Sequence, residues 1–323
     1  MFAVGTNYYS VDILKVLKPS LSARFVIRDI KGFLLNIFRK LCDLANCSKT
    51  SCCYESNGSL PKSKRVLKSS EHLRAELRRN RNDFLHEKII VLGSGPSLNE
   101  LDFEPFKTSF NVPFIAMNRY ILFWEQIGIW PSYFFLADNL GAGLNVFNET
   151  MRRIERQSEL PKPTLILEEF YRNCVFPQNS AIFFNRDDRL GSNLQWAENP
   201  FEPMFFHRGS LSSLLNVIAA YRLARSVFIA GVDLNRPGYF FDNCRTNFPE
   251  FFNPWDDQAY EKGHHATAIS VNGWEGSILD HWSIINDNYA RLGIGLYSVD
   301  DSSLLVKNGL VRFLGLNEIV VNS

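Results

Sequence analysis

Residues 88–98 read Lys-Ile-Ile-Val-Leu-Gly-Ser-Gly-Pro-Ser-Leu, and this stretch constrains the fold more than any other. Ile89, Ile90, Val91 and Leu92 make an unbroken apolar run rich in β-branched residues, the pattern of a parallel strand buried on both faces. The run breaks directly into Gly93, Ser94, Gly95, Pro96 and Ser97. The glycines permit positive φ and close approach of another backbone, and proline suits the first turn of a helix, where its missing N–H costs nothing. A strand entering such a turn before a helix offers backbone N–H groups to an anion. The same glycines also serve where a neighbouring strand end packs closely. No third glycine completes a dinucleotide fingerprint, and no Gly-Lys-Ser/Thr completes a P-loop.

From Lys88 onward apolar runs alternate with helical periodicities, as in a parallel α/β sheet covered on both faces. Strands are expected at 88–93, 113–117, 133–137, 163–167, 181–184, 226–231 and 294–299. Helices are expected at 97–107, 119–127, 143–157, 210–224 and 277–291. The helix 210–224 is apolar nearly all round and runs into Val-Phe-Ile-Ala-Gly-Val-Asp, so it is read as a crossover feeding a central strand. The fold class is α/β, a Rossmann-like, doubly wound, mostly parallel sheet. Ligands in such sheets bind beyond the carboxyl ends of the strands. The polar residues delivered there are Ser94, Gly95, Asn118, Asp138, Asn139 and Asp233. Between 234 and 274 no clear period survives, yet aromatic residues abound and His264 and His265 stand together. So aromatic a segment is read as an ordered lid over the sheet edge.

Charge divides the chain. Residues 1–88 hold 17 Lys and Arg against 8 Asp and Glu, a balance of +9, while residues 89–323 hold 18 against 26, a balance of −8. An acidic α/β region argues against general nucleic-acid binding, and the basic segment asks for an anionic surface. Residues 23–41 place Val26, Ile30, Phe33, Leu34, Ile37, Phe38 and Leu41 on one helical face, with Arg24, Arg28, Lys31, Arg39 and Lys40 around it. Such a helix suits an anionic membrane surface, or packing against the α/β region or a second copy of the chain. Residues 44–70 read as a linker and 71–83 as a short charged helix. The organisation expected is thus a basic helical extension over 1–87 and a single α/β domain over 88–323. Without a signal-peptide pattern or a run of 18 apolar residues, the expected location is the cytoplasm or the cytoplasmic face of a membrane. Cys42, Cys47, Cys52 and Cys53, spaced C-x4-C-x4-CC, match no zinc motif and read as reduced thiols.

Several of these pieces together resemble a known family. The strand ending in Gly-Ser-Gly-Pro-Ser-Leu, the Met117-Asn118-Arg119-Tyr120 element, the Ser-rich helix running into Ile229-Ala-Gly-Val-Asp233, and the tyrosine-bearing lid with Gly263-His264 resemble the bacterial sialyltransferases that use CMP-sialic acid. The first element is also similar to the motility-associated flagellin glycosyltransferases and to an archaeal pyrophosphokinase-like group. The resemblance spans roughly residues 88–300. It implies a Rossmann-like domain with a small lid and an inverting, metal-independent transfer of a nonulosonic acid from CMP to a glycan, with no cofactor. It places Ser94 and Gly95 against the nucleotide, Asn118 on the donor, Asp138 or Asn139 where the family has an asparagine, and Ser210 or Ser212 near the donor carboxylate; Gly93, Pro96 and Ser97 of the same turn and Asp233 are taken as substrate-binding with them. Two lid tyrosines serve the leaving phosphate in that family. Here Tyr239 fills one place, while Asn235-Arg236 stands where the other would be, and Arg236 could act as a cation instead.

The chemistry calls for the same residue types. Displacing CMP needs a base for the acceptor hydroxyl and donors for the charge growing on the phosphate. His264 is taken as the base, with His265 and then His281 behind it. The chain has no Asp-x-Asp, only the adjacent pairs Asp187-Asp188, Asp256-Asp257 and Asp300-Asp301. That favours a monophosphate leaving group over a metal-bound diphosphate. A pyrophosphokinase-like enzyme and a non-catalytic nucleotide-binding module share the glycine-turn signature and stand as the competing functions.

Overall fold

The computed structural model describes residues 84–107, 112–137, 143–175, 179–186, 192–252, 255–270 and 276–321, all within Leu60–Ser323. The expected interfacial helix 23–41, the linker, the clustered cysteines and the helix 71–83 lie outside the described residues, as do Asp138 and Asn139.

The strands are β1 His86–Leu92, β2 Phe114–Met117, β3 Tyr133–Leu136, β4 Thr164–Glu168, β5 Ala181–Phe184, β6 Ser192–Asn193, β7 Phe206–His207, β8 Ala224–Ala230, β9 Gly295–Ser298 and β10 Arg312–Phe313. The helices are α1 Glu104–Lys107, α2 Gly143–Arg156, α3 Ser210–Ala220, α4 Trp255–Lys262, α5 Trp282–Leu292, α6 Leu304–Lys307 and α7 Leu316–Val321. Eight strands form one sheet in the order β10-β9-β8-β1-β2-β3-β4-β5, and every pairing in it is parallel. β6 and β7 form a separate antiparallel pair. The α/β, doubly wound, Rossmann-like architecture expected from the alternation is therefore present.

Alternate residues of each strand feed opposite cores, as the pleat requires. Ile90, Leu92, Ala116, Phe134, Leu136 and Leu167 pack on one face with Val146, Phe147, Met151 and Ile154 of α2 and the aromatics Phe240 and Phe241. Ile89, Val91, Ile115, Phe135, Ile166, Val227 and Ile229 pack on the other with Leu211, Leu214, Leu215 and Ile218 of α3 and Trp282, Ile285 and Tyr289 of α5. Because α3 precedes β8 and α5 precedes β9, the N-termini of both helices lie at the carboxyl edge of the sheet. Buried Asn216 on α3 accepts from the N–H groups of Ala197 (3.0 Å) and Phe205 (2.7 Å) and donates to the Ala197 carbonyl (2.9 Å), pinning the segment that links β6 to β7.

Four expected helices are changed, the least of them 210–224, which ends at Ala220 so that Ala224 opens β8. Instead of 97–107 there is a 3-10 turn, Pro96–Asn99, and then the four-residue α1. Pro105 is tolerated only in the first turn of a helix, since it has no N–H to donate backward, and it stands in the first turn of α1. Instead of 119–127 there are two 3-10 turns, Asn118–Leu122 and Trp124–Gln126, hinged at Phe123 with φ −134 and ψ 19. α5 begins at Trp282 rather than 277, after a turn in which the Asp280 carboxylate accepts from the Ser277 N–H at 2.8 Å. The segment 234–274 is ordered over its described part and contains α4, with Phe240 and Phe241 at 3% and 0% exposure.

Candidate functional site

Successive strands step from β1 to β5 in one direction, and the chain then returns to set β8 on the other side of β1. The crevice beyond the carboxyl ends of β1 and β8 is therefore the switch point where sheets of this kind bind ligands. Much of the polar material there is already paired within the chain. The Gly93 N–H donates to the Ala230 carbonyl at 2.8 Å and the Gly95 N–H to the Gly231 carbonyl at 2.7 Å. The Ser97 N–H donates to Asp233 Oδ2 at 3.3 Å. A Cβ added to Gly93 would lie 2.3 Å from the Gly231 carbonyl oxygen, and one added to Gly95 would lie 1.9 Å from Asp233 Oδ2. Both glycines are thus required by the approach of the β8 end. Only a 3-10 turn, Pro96–Asn99, follows them, so the glycine turn itself opens no long helix.

Asp233 is 2% exposed. Burial pushes its carboxyl above the ordinary carboxylate range, opposed by hydrogen bonds from Arg236 and Ser97. Arg236 donates to Asp233 Oδ1 at 2.8 Å and to Glu100 Oε1 at 2.6 Å, so two carboxylates balance this guanidinium. Leu234, next in the chain, holds φ +64, a conformation that costs a non-glycine residue energy and recurs at functional strand ends.

A second group forms beyond β2. Asn118 carries φ +48, and its buried Oδ1 has no hydrogen-bond partner among the described residues. Arg119, one residue on, donates to the Tyr239 hydroxyl at 2.9 Å and to the Phe251 carbonyl at 3.1 Å. Its guanidinium lies 4.3 Å from the Tyr239 ring centre and 5.6 Å from that of Phe252. Tyr239 stacks on Phe241 at 5.2 Å, and Phe241 on Phe123 at 4.3 Å, so the aromatic segment is anchored to the turn that follows β2. The Phe240 N–H donates to the Ser94 carbonyl at 3.0 Å, which joins this group to the glycine turn.

The two adjacent histidines diverge. His264 is exposed on the turn after α4. His265 is half-buried, its ring edge-on to Tyr239 at 5.7 Å, and its backbone N–H reaches the Leu234 carbonyl at 3.3 Å. Its Nδ1 lies 3.0 Å from Thr267 Oγ1 and 3.3 Å from the Thr267 amide nitrogen.

A third group surrounds the start of α3. Ser210 is the half-buried first residue of the helix. Ser212 is fully buried, donating to the Gly209 carbonyl at 2.7 Å and accepting from the His207 N–H at 3.0 Å. Arg208, at φ +64, donates to the carbonyls of Ala266 and Ile269, so the segment bearing His265 is tied to the α3 N-terminus. His207 was not singled out by the sequence. Its Nε2 donates to the Ser277 carbonyl at 2.9 Å, its ring meets that of His281 at 4.6 Å, and its buried Nδ1 has no hydrogen-bond partner among the described residues. Burial pushes His207 below its ordinary pKa, helped by His281 and Arg208 and opposed by the Ser277 carbonyl and Asp280. His281 does not sit inside a helix but stands immediately before α5, with no capping bond from its side chain. Also unforeseen is the buried ion pair of Glu168 and Arg186, 3.4 Å apart at the carboxyl ends of β4 and β5. Its signal was a carboxylate ending an otherwise apolar strand.

Of the expected site residues, the structure brings Gly93 to Ser97, Asp233 and Arg236 into one group and Asn118 and Tyr239 into the next. Among the described residues no group of three or more His, Cys, Asp or Glu is placed to hold a metal ion. No helix there is long and apolar enough to cross a membrane.

No protein-family model matches the chain, and no curated protein matches it. Among solved structures it is similar to that of the MAf glycosyltransferase from Magnetospirillum magneticum AMB-1, at 16% identity and a TM-score of 0.44, over 80% of this chain and 39% of that one. The chain thus spans about two fifths of that protein's length.

Proposed function

We propose that this protein is a glycosyltransferase that moves sialic acid or a related nonulosonic acid from a CMP-sugar to a glycan acceptor, with inversion and without a metal. The observation that carries the reading is Tyr239, held by Arg119 beyond β2 with an imidazole edge-on to it. A phenol beside a guanidinium suits a phosphate that leaves with its charge growing, and an imidazole nearby suits the acceptor's proton. The CMP-sugar is a co-substrate, no cofactor is required, and the basic segment before Ile89 serves to hold the protein against an anionic membrane surface.

The geometry favours His265 over His264 as the base, since His265 is the one beside Tyr239. With Nδ1–H donating to the Thr267 hydroxyl, the lone pair stands on Nε2, the tautomer proton abstraction requires. With Nδ1 accepting from the Thr267 amide, Nε2 keeps the proton, and that form takes no proton there. Transfer from CMP-sialic acid to an acceptor panel, followed as CMP release, tests this. His265→Ala should lower the rate by about 10²–10⁴-fold with CMP affinity kept, while His264→Ala keeps the greater part of the activity. The reverse pattern would return the role to His264. Absence of both CMP binding and CMP release from the intact protein would overturn the donor class.

A further inference from the structure

A second pair of histidines lies behind the segment that carries His265. His207 ends β7, is 8% exposed, and donates from Nε2 to the Ser277 carbonyl at 2.9 Å. A carbonyl only accepts, so Nε2 holds the proton of the neutral ring and the lone pair stands on Nδ1. Ser277 opens a tight turn, its N–H donating to the Asp280 carboxylate at 2.8 Å. The N–H of the next residue, Ile278, donates to the Thr267 carbonyl at 2.9 Å, and Thr267 Oγ1 lies 3.0 Å from His265 Nδ1. Three hydrogen bonds thus lead from one imidazole toward the other. The two segments also press on the start of α3: a Cβ added to Gly209 would stand 3.1 Å from Thr267 Cγ2 and 3.5 Å from Ile278 Cδ1.

A second proton on His207 has nothing to bond to. Its Nδ1 is buried and has no hydrogen-bond partner among the described residues. The His281 ring meets it at 4.6 Å with an interplanar angle of 87°, Arg208 follows it in the chain, and the positive end of the α3 dipole begins at Ser210. The carboxylate that faces it, Asp280, is held by the Ser277 N–H. Burial, His281 and Arg208 thus favour the neutral ring, while Asp280 and the Ser277 carbonyl oppose them. We infer that His207 is a positioning residue whose neutral ring clasps the turn before α5, and through it the segment bearing His265, to the start of α3, and that a second proton opens the clasp. As a positioning role it rests on the glycosyl-transfer reading above, in which His265 takes the acceptor's proton. In acid the base is then lost in two ways, by its own protonation and by release of its segment.

The test follows hydrogen exchange of the Ile278 amide, and turnover of CMP-sialic acid, on the full chain as the pH is lowered. Protection of the amide, corrected for intrinsic exchange, should be complete above the free imidazole value of about 6.5 and fall by up to about tenfold per pH unit below it, down to the folded pKa. His207→Gln keeps an N–H for the Ser277 carbonyl and does not titrate, so it should retain protection in acid, whereas His207→Ala should lack it at every pH. In turnover, the acid limb of log kcat against pH should approach a slope of about two for wild type, one proton each for His265 and His207, and about one for His207→Gln. His207→Ala should lower kcat at neutral pH by about 10–100-fold with the donor KM little changed, and His207→Gln should recover the greater part. If the wild-type amide stays protected in acid, or His207→Gln loses protection as wild type does, the ring is not the clasp and the inference fails while the transferase reading stands. Equal slopes in the two profiles would separate the ring from the base and overturn the positioning role. If the amide behaves as expected and the protein releases no CMP, the clasp stands and only the transferase reading fails.

Discussion

Gly95→Ala separates two reasons for the glycine turn, the packing of β8 and the cradling of a phosphate. The new methyl carbon would stand 1.9 Å from Asp233 Oδ2 and 2.8 Å from the Gly231 carbonyl oxygen, whereas Cβ contacts below 3.0 Å essentially never occur. The carboxylate must retreat by at least 1.1 Å, the difference between 3.0 and 1.9 Å. That movement ends the 3.3 Å bond from the Ser97 N–H and disturbs the pair with Arg236 in a side chain only 2% exposed. Losing a buried hydrogen bond to a charged group costs about 1.5–3 kcal/mol, and overpacking adds about 1–3 kcal/mol. A loss of roughly 3–5 kcal/mol is therefore expected, read as a lower midpoint of urea unfolding at unchanged slope. Asp233→Gly in the same chain removes the 1.9 Å obstacle but leaves the Gly231 carbonyl. The double variant should recover about 1–2 kcal/mol relative to the sum of the singles. A loss below about 1 kcal/mol for Gly95→Ala, or strict additivity in the cycle, would refute the packing argument and return the glycine to the phosphate.

Two further outcomes follow from the packing and the charges. Phe241→Ala removes a fully buried ring stacked on Phe123 and Tyr239, so it should cost about 3–5 kcal/mol in denaturant unfolding, and a value near zero would mean the aromatic segment is no part of the core. His207 has its folded pKa lowered by burial, so the folded state prefers the neutral ring. Its contribution is fully present above the unfolded value of about 6.5 and is lost as the pH falls from there toward the folded pKa, with a slope of at most about 1.4 kcal/mol per pH unit. His207→Gln should flatten that part of the stability–pH curve, and an unchanged curve would assign the acid sensitivity elsewhere.

The sheet was legible because buried parallel strands are continuous apolar runs, and Ile89–Leu92, Phe134–Leu136 and Val227–Ala230 need no partner information to be read. The two helices called after β1 and β2 were not legible in the same way. Their apolar spacing is helical, but Pro105 interrupts one, and the other is broken at Phe123, whose backbone answers to the stack on Phe241 118 positions later. The candidate site was legible as a list of strand ends. It was not legible as a set of contacts: nothing local distinguishes His264 from His265, and only the fold of the residues before Thr267 decides which ring meets Tyr239. Arg119 was visible within its motif, yet its contact with Tyr239 depends on the segment after β8, which lies two strands from β2 in the sheet.

β1 lies at the centre of the sheet, and its two neighbours arrive at very different times. Leu92 pairs with Ala116, 24 positions ahead, and with Ala230, 138 positions ahead. During synthesis from the N-terminus the strands β1 to β5 can assemble while one whole edge of β1 still has unpaired N–H and C=O groups. An edge so apolar is the kind that recruits other chains. Parallel pairing at long separation is also slow to form. The interval before β8 inserts is thus the period of greatest exposure to aggregation, and a holding chaperone that covers the open edge during it should raise the yield of native protein.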